Sequence, residues 1–213
     1  FPTRRSADLR AHGVDLRTGV AVAGIEGAGR VERVVLADGT AVDCDTVLVA
    51  VGAAPETGWL DGSGLTLDDG VLCDATMLAA PGVVAAGDLA RWPNPLFDGE
   101  VMRLEHWTNA AEQAVHAARR LLASDGGAEE FAPVPFVWSD QFDVKIQSAG
   151  RTSVTDRMEV VHGSLEDHRF VAIFERDERI VGVLGCSEPR RVMQYRRLIA
   201  TRTPFAEART AVA

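Results

Sequence analysis

From Thr76 to Asp88 the chain reads Thr-Met-Leu-Ala-Ala-Pro-Gly-Val-Val-Ala-Ala-Gly-Asp, and the end of this stretch constrains the fold most. Val83 to Ala86 make a short apolar strand that runs straight into Gly87 and then an acid. Gly87 has no Cβ, so the backbone there can approach a ligand closely. Asp88 falls at the carboxyl end of a buried strand, where open α/β sheets bind their ligands. A carboxylate at that point can accept a hydrogen bond from a sugar-like hydroxyl. A strand followed by an Asp turn is also common in α/β proteins, so this stretch alone leaves both readings open.

Upstream, residues 14–42 alternate in the manner of strands. Val31 to Leu36, Asp38-Gly39 and Ala41-Val42 read as a hairpin closed by the Asp-Gly turn. Asp45 to Gly52 is a continuous apolar run, which predicts a strand buried on both faces. It ends in the turn Gly52-Ala53-Ala54-Pro55, and Gly27-Ala28-Gly29 reads as a loop. Downstream of Asp88 the pattern predicts about one strand and a loop, then a helix over 109–122 with Asn109 and Glu112 as a capping pair. Ala111, Ala114, Val115, Ala118, Leu121 and Leu122 form one apolar stripe at helical spacing. Residues 124–132 are polar and glycine-rich, a linker. From Pro133 the pattern becomes antiparallel β, with strands around 143–148, 169–174 and 179–184. A last helix starts near Pro189, with Val192, Tyr195, Leu198 and Ile199 on one face. The fold class expected is an α/β nucleotide-binding remnant plus a small C-terminal α+β domain.

Charge narrows the partners. A net charge of −9 argues against nucleic acid as a main partner, and no apolar run approaches the ~20 residues of a membrane span. Cys44, Cys73 and Cys186 are far apart and form no Cys-x-x-Cys pair, which points to a reducing cytoplasm and to buried small hydrophobes rather than thiol chemistry. Residues 1–10 fit poorly with the strand pattern of 14–42 and read either as foreign sequence or as a basic terminus. The chain as a whole reads as truncated at its amino end.

Two more segments can carry chemistry. Arg103-Leu104-Glu105-His106-Trp107-Thr108-Asn109 leads into the predicted helix, whose unpaired N–H groups and dipole favour an anionic edge. Trp107 offers a flat wall for a ring system. Phe136-Val137-Trp138-Ser139-Asp140-Gln141 places an aromatic pair beside polar residues, with Trp138 either covering a cofactor or anchoring a core.

Gly87-Asp88, then Arg103 to Ala110 with Gln113, then Phe136 to Gln141 occur in an order that resembles the bacterial ferredoxin reductases of the putidaredoxin-reductase and biphenyl-dioxygenase-reductase type. Val51 to Pro55, Trp59-Leu60 and Asp68 to Val71 extend the resemblance, which covers about 13–200. It implies an FAD- and NAD(P)H-dependent oxidoreductase that passes electrons to a 2Fe-2S ferredoxin or a similar small redox protein. Carried over residue by residue, Asp88 matches the acid that bonds the ribityl chain of FAD, with Gly87 before it. Trp107 with His106 matches the position at the flavin ring, and Trp138 an aromatic near the docking nicotinamide. Gly52 and Glu105 match as a backbone-approach position and a site-edge position.

The departures are as informative as the matches. The family carries two Gly-x-Gly-x-x-Gly loops, one per dinucleotide, and this sequence has neither. The resemblance therefore divides the chain into 11–44 as the tail of the NAD(P)H domain, 45–123 as the returning half of the FAD domain, 133–205 as the C-terminal reductase domain and 206–213 as a tail. Alternatives are a non-catalytic fragment, inactive alone, or a reductase with another acceptor such as rubredoxin, a quinone or nitrite reductase. Arg190, Arg191, Arg196, Arg197 and Arg202 line the last helix, either as a docking face for an acidic ferredoxin or as a solvated surface.

Overall fold

Asp38 and Gly39 do close a hairpin. The Asp38 carboxylate accepts from the Thr40 hydroxyl at 2.7 Å and from its backbone N–H at 2.9 Å, and the hydroxyl bond above all holds the carboxyl below its usual range. This turn joins β2 (Arg33–Leu36) to β3 (Ala41–Asp43), and β1 (Val22–Glu26) pairs antiparallel with the other edge of β2. The computed structural model describes residues 9–10, 12–123 and 128–212. The readings of residues 1–8 and of the glycine-rich 124–127 fall outside the described residues. The chain divides into two compact units, 1–53 and 54–213.

The run from Asp45 to Gly52 is not the buried strand its composition predicts. No strand is assigned there, and Leu48, Val49 and Val51 are 65–89% exposed. A parallel-sheet strand is stable only between neighbours that bond its backbone and cover both faces, and no described strand pairs with this run.

In the second unit, β4 (Val71–Leu72) runs parallel to β7 (Ala90–Asn94), and β8 (Glu100–Arg103) pairs antiparallel with β7. Between them β5 (Leu78–Ala80) and β6 (Val83–Val84) form a small antiparallel pair, so the strand into Gly87 is shorter than expected. Gly70 permits the close approach of β4 and β7: its φ is +123°, and a Cβ there would sit 2.5 Å from the Leu89 carbonyl oxygen. The core of this region centres on Trp92, which is fully buried, packs its ring 5.6 Å from Phe131 and donates to the Phe131 carbonyl at 3.2 Å. Asn94 is equally buried yet satisfied, accepting from Leu96 N–H and donating to the Pro133 carbonyl, each at 3.0 Å.

The helix α1 spans Trp107–Leu122, two residues earlier than expected, with His106 at its N-cap. Asn109 does not cap it; its amide donates instead to the Leu104 carbonyl at 3.3 Å. The apolar stripe at helical spacing is present but lies on the exposed side of the helix. Val115, Leu121 and Leu122 are at least half exposed, whereas Asn109, Gln113 and Ala117 are buried. Periodicity reports that one face is apolar, not that the described chain covers it.

The C-terminal part holds a five-stranded antiparallel sheet of β9 (Phe136–Gln141), β10 (Val144–Gly150), β11 (Arg157–Ser164), β12 (Arg169–Arg176) and β13 (Arg179–Cys186), in the order β11-β12-β13-β10-β9. Helix α2 (Pro189–Ala200) packs on it through Val192, Tyr195 and Ile199, all essentially buried, as the spacing predicts. Helix α3 (Phe205–Ala211) adds the buried Phe205 and Ala208. The turn between β7 and β8 is clasped to this sheet. Asp98 accepts from Arg179 at 2.6 Å and from Arg202 at 3.1 Å, while Glu100 takes Arg151 and Arg176.

Candidate functional site

Gly87 and Asp88 leave β6 against the start of α1. Gly87 has φ +81°, and a Cβ added to it would lie 3.8 Å from the Ala110 Cβ, so the helix passes directly over the turn. Its N–H donates to the buried Gln113 Oε1 at 2.7 Å. Arg103, on β8, holds the turn from the other side, donating to the Asp88 carbonyl at 3.0 Å and to Glu105 Oε1 at 2.7 Å. The Asp88 side chain remains exposed. Arg103 and Gln113 stand in the segment the sequence singled out, but nothing in residue type gave either a role; the signal was only their membership of the motif order that carries the resemblance.

The first turn of α1 has neither a side-chain cap nor an acidic residue. Its leading N–H groups therefore keep the positive end of the helix dipole uncompensated, a ready site for an anionic or carbonyl edge. Trp107, the first helical residue, is 84% exposed. His106 lines a cleft of about 340 Å³ with Leu104, Val137, Ser148, Arg151 and Ser153, between the helix start and the C-terminal sheet. Burial is the main cause that holds the His106 imidazole below its ordinary value, with Asp88 and Glu105 pulling the other way.

Not all the expected residues converge. Trp138 alternates with Val137 along β9 and so faces away from that cleft; its ring lies 5.8 Å from Phe136. Glu105 anchors Arg103. Gly52, with φ +96°, belongs to the first unit and has open space where a Cβ would stand. Of the arginines expected along one helix, four lie on α2 and Arg202 lies beyond its end; Arg191 is bound to Glu188, Arg196 to the Val134 carbonyl and the Phe136 ring face, and Arg202 to Asp98, leaving Arg190 and Arg197 exposed. Cys73 and Cys186 are buried, but Cys44 is only half-buried, against expectation. Burial pushes the Cys73 thiol up to about 11, so it stays protonated.

His162 is also held below its ordinary value, first by burial and then by Arg191. Both imidazoles thus have folded-state pKa values below their unfolded ones, about 6.5. The unfolded chain then binds more protons below that pH, so their contribution is full above it and is lost on acidification. A lower melting temperature at pH 5.5 than at 7.5 is expected, with the gap narrowing in a His106→Gln, His162→Gln double variant. An unchanged gap in that variant would contradict the assignment.

The family described as pyridine nucleotide-disulphide oxidoreductase matches residues 4–114, half of the chain. The chain belongs to that family. A second description, reductase C-terminal, matches residues 136–212. Among relatives of this oxidoreductase family, a probable ferredoxin reductase, CtmF, from Castellaniella defragrans is 37% identical over 185 residues, covering 84% of this chain and 44% of the relative. Putidaredoxin reductase CamA from Pseudomonas putida is 32% identical, covering 92% of this chain and 46% of its own. The crystal structure of the covalent putidaredoxin reductase–putidaredoxin complex superposes with a TM-score of 0.86 at 30% identity, over 94% of this chain and 48% of that one. The chain thus has the mixed α/β fold of these reductases with a sheet-rich C-terminal domain, and spans about half the length of the curated relatives it matches. Among the described residues, no helix is long and apolar enough to cross a membrane.

Proposed function

We propose that this chain supplies the ring and ribityl side of an FAD site in an NAD(P)H-dependent ferredoxin reductase. The observation that carries the reading is the uncapped start of α1, fixed over Gly87 by the Gln113 bond with the Asp88 carboxylate left exposed. FAD, when bound, supplies two-electron acceptance from a nicotinamide and one-electron delivery to an iron–sulfur protein. Asp88 would accept from the ribityl hydroxyls, and Gly87 would let the backbone come close to them. The N–H groups of the first turn would stabilise negative charge on the pyrimidine edge, with His106 and Trp107 against the ring. Trp138 would serve the nicotinamide side, Glu105 would hold the site edge through Arg103, and Gly52 would serve as a second backbone approach.

In this reading 11–44 is the tail of the NAD(P)H domain, 45–123 the returning half of the FAD domain and 133–205 the reductase C-terminal domain. A 2Fe-2S ferredoxin is the acceptor and the cytoplasm the compartment. The likeness to putidaredoxin reductase supports the acceptor. Arg190 and Arg197, both exposed and seven residues apart on α2, supply a basic face suited to an acidic redox protein.

Titration of the chain with FAD tests the site. A saturable change in the flavin absorbance is expected, and Asp88→Ala should weaken it about tenfold, the loss of a charge-assisted hydrogen bond. NAD(P)H oxidation by the chain alone is expected to be absent, since neither glycine loop is in its sequence. No saturable change in the unaltered chain, or equal affinity in Asp88→Ala, would overturn the assignment.

A further inference from the structure

Glu105 stands one residue before the N-cap of α1, where the helix dipole favours a carboxylate. Ala110 N–H is the first to bond within the helix, to the His106 carbonyl at 3.0 Å. The N–H groups of Trp107 and Thr108 therefore lie ahead of the helical ladder. His106 adds no side-chain cap, and the first turn holds no acid. Glu105 is near enough for its charge to act on the His106 imidazole. Its carboxylate is nevertheless held elsewhere, with Oε1 accepting from Arg103 Nη1 at 2.7 Å.

Arg103 ends β8 and is fixed at two further points. Nη1 also donates to the Asp88 carbonyl at 3.0 Å, and Nε donates to Asp69 Oδ2 at 3.3 Å. Gly70 leaves room for the side chain, since a Cβ there would stand 3.1 Å from the Arg103 Cδ. Arg91, the cross-strand partner of Arg103 on β7, is taken by Asp68, so each of the two facing cations has its own acid. The Arg103 side chain is only 14% exposed, and Glu105 is the main cause that raises its guanidinium above the ordinary value. Guanidinium and helix start thus compete for one carboxylate. The charge-assisted hydrogen bond is the stronger of the two attractions.

We propose that Arg103 is a positioning residue that keeps the start of α1 open by holding the Glu105 carboxylate away from it. Without the guanidinium, Glu105 turns onto the Trp107 and Thr108 N–H groups and caps the helix from within the chain. Self-capping occupies those donors and puts a negative charge where the pyrimidine edge of a flavin would lie. That last consequence rests on the function proposed above. Arg103 acts only through Glu105 and the Gly87-Asp88 turn.

The test uses the full chain without flavin, so its outcome is separate from that of the FAD titration. Amide hydrogen exchange is read at Trp107 and Thr108, and at Ala90, whose N–H donates to the Gly87 carbonyl at 3.0 Å across the turn. Arg103→Met should slow exchange at the helix start about fivefold, the effect of one helix cap, while Ala90 exchanges faster. A merely structural arginine would speed exchange at both places. Arg103→Met combined with Glu105→Ala should return the helix start to the fast exchange of the unaltered chain. Arg103→Lys, which keeps the cation, should leave it fast. Arg103→Gln keeps a donor for the Asp88 carbonyl but no charge; it should slow the helix start in smaller measure and serves if the methionine variant does not fold. Unchanged or faster exchange at the helix start in these two uncharged variants, or slowing that survives Glu105→Ala, would overturn the proposal.

Discussion

Trp92→Ala is expected to cost about 3–5 kcal/mol, the usual range for deleting a large aromatic from a closed core. Trp92 is fully buried on β7, and its removal leaves a cavity beside Phe131 within the buried cluster that includes Val71, Ala90 and Met102. It also strands the Phe131 carbonyl that the indole N–H now satisfies. Phe131 in turn donates its own N–H to the Ala75 carbonyl at 2.7 Å, so the segment that leads to the C-terminal sheet loosens with it. Domains of this kind are stable by only about 5–15 kcal/mol. Urea denaturation followed by far-ultraviolet circular dichroism should show the midpoint falling by a large fraction. Trp92→Phe, which keeps most of the volume, should fall by less than half as much; equal losses would mean that the cavity is not the cause.

Gly182→Ala is expected to cost about 3 kcal/mol for a different reason. Gly182 on β13 stands opposite Gly150 at the end of β10, where the chain turns back across the sheet. A Cβ on Gly182 would lie 1.8 Å from the Arg151 carbonyl oxygen and 2.7 Å from its carbon. Both are backbone atoms and cannot rotate away. Arg151 must move, which breaks its N–H bond to the Val181 carbonyl, now 2.7 Å, and disturbs its pairing with Glu100. Overpacking of this severity lies at the upper end of the usual range. Gly24→Ala, where nothing stands within 4 Å of the new carbon, is the control and should change stability by less than about 1 kcal/mol. Matching melts for the two variants would refute the steric argument.

Helices α1 and α2 show how much was legible in the sequence. Both carry an apolar stripe at helical spacing. On α2 the stripe is buried because the sheet beneath it is part of the same unit, and Val192, Tyr195 and Ile199 could be read directly. On α1 the stripe is exposed and the buried face is polar, since periodicity specifies a face and not its neighbour. Asn109 and Gln113 were beyond the reach of composition because amide side chains are usually exposed; their bonds to the Leu104 carbonyl and the Gly87 N–H appear only in the structure. One strand was expected between Asp88 and the helix where two stand, β7 and β8, and the bounds of β7 were obscured by Arg91 and Pro93, which sit poorly in a central strand. Pro93 is tolerated because β4 pairs only with Ala90 and Arg91, leaving the proline beyond its end. The Gly87-Asp88 turn was legible as a turn after an apolar strand; the pattern alone is common in α/β proteins, and only its order with the Arg103 and Phe136 segments singled it out.

The four tryptophans are graded in their access to solvent: Trp92 is fully enclosed, Trp138 is 43% exposed, Trp59 73% and Trp107 84%. The chain therefore carries its own optical probes. An aqueous quencher should silence Trp107 and Trp59 first, leaving the blue-shifted emission of Trp92 as a reporter of the core. Trp107, at the mouth of the helix that faces the proposed ring, should transfer its excitation to any bound flavin. Ligand arrival and loss of the fold can then be followed in one cuvette, at two wavelengths, without a label.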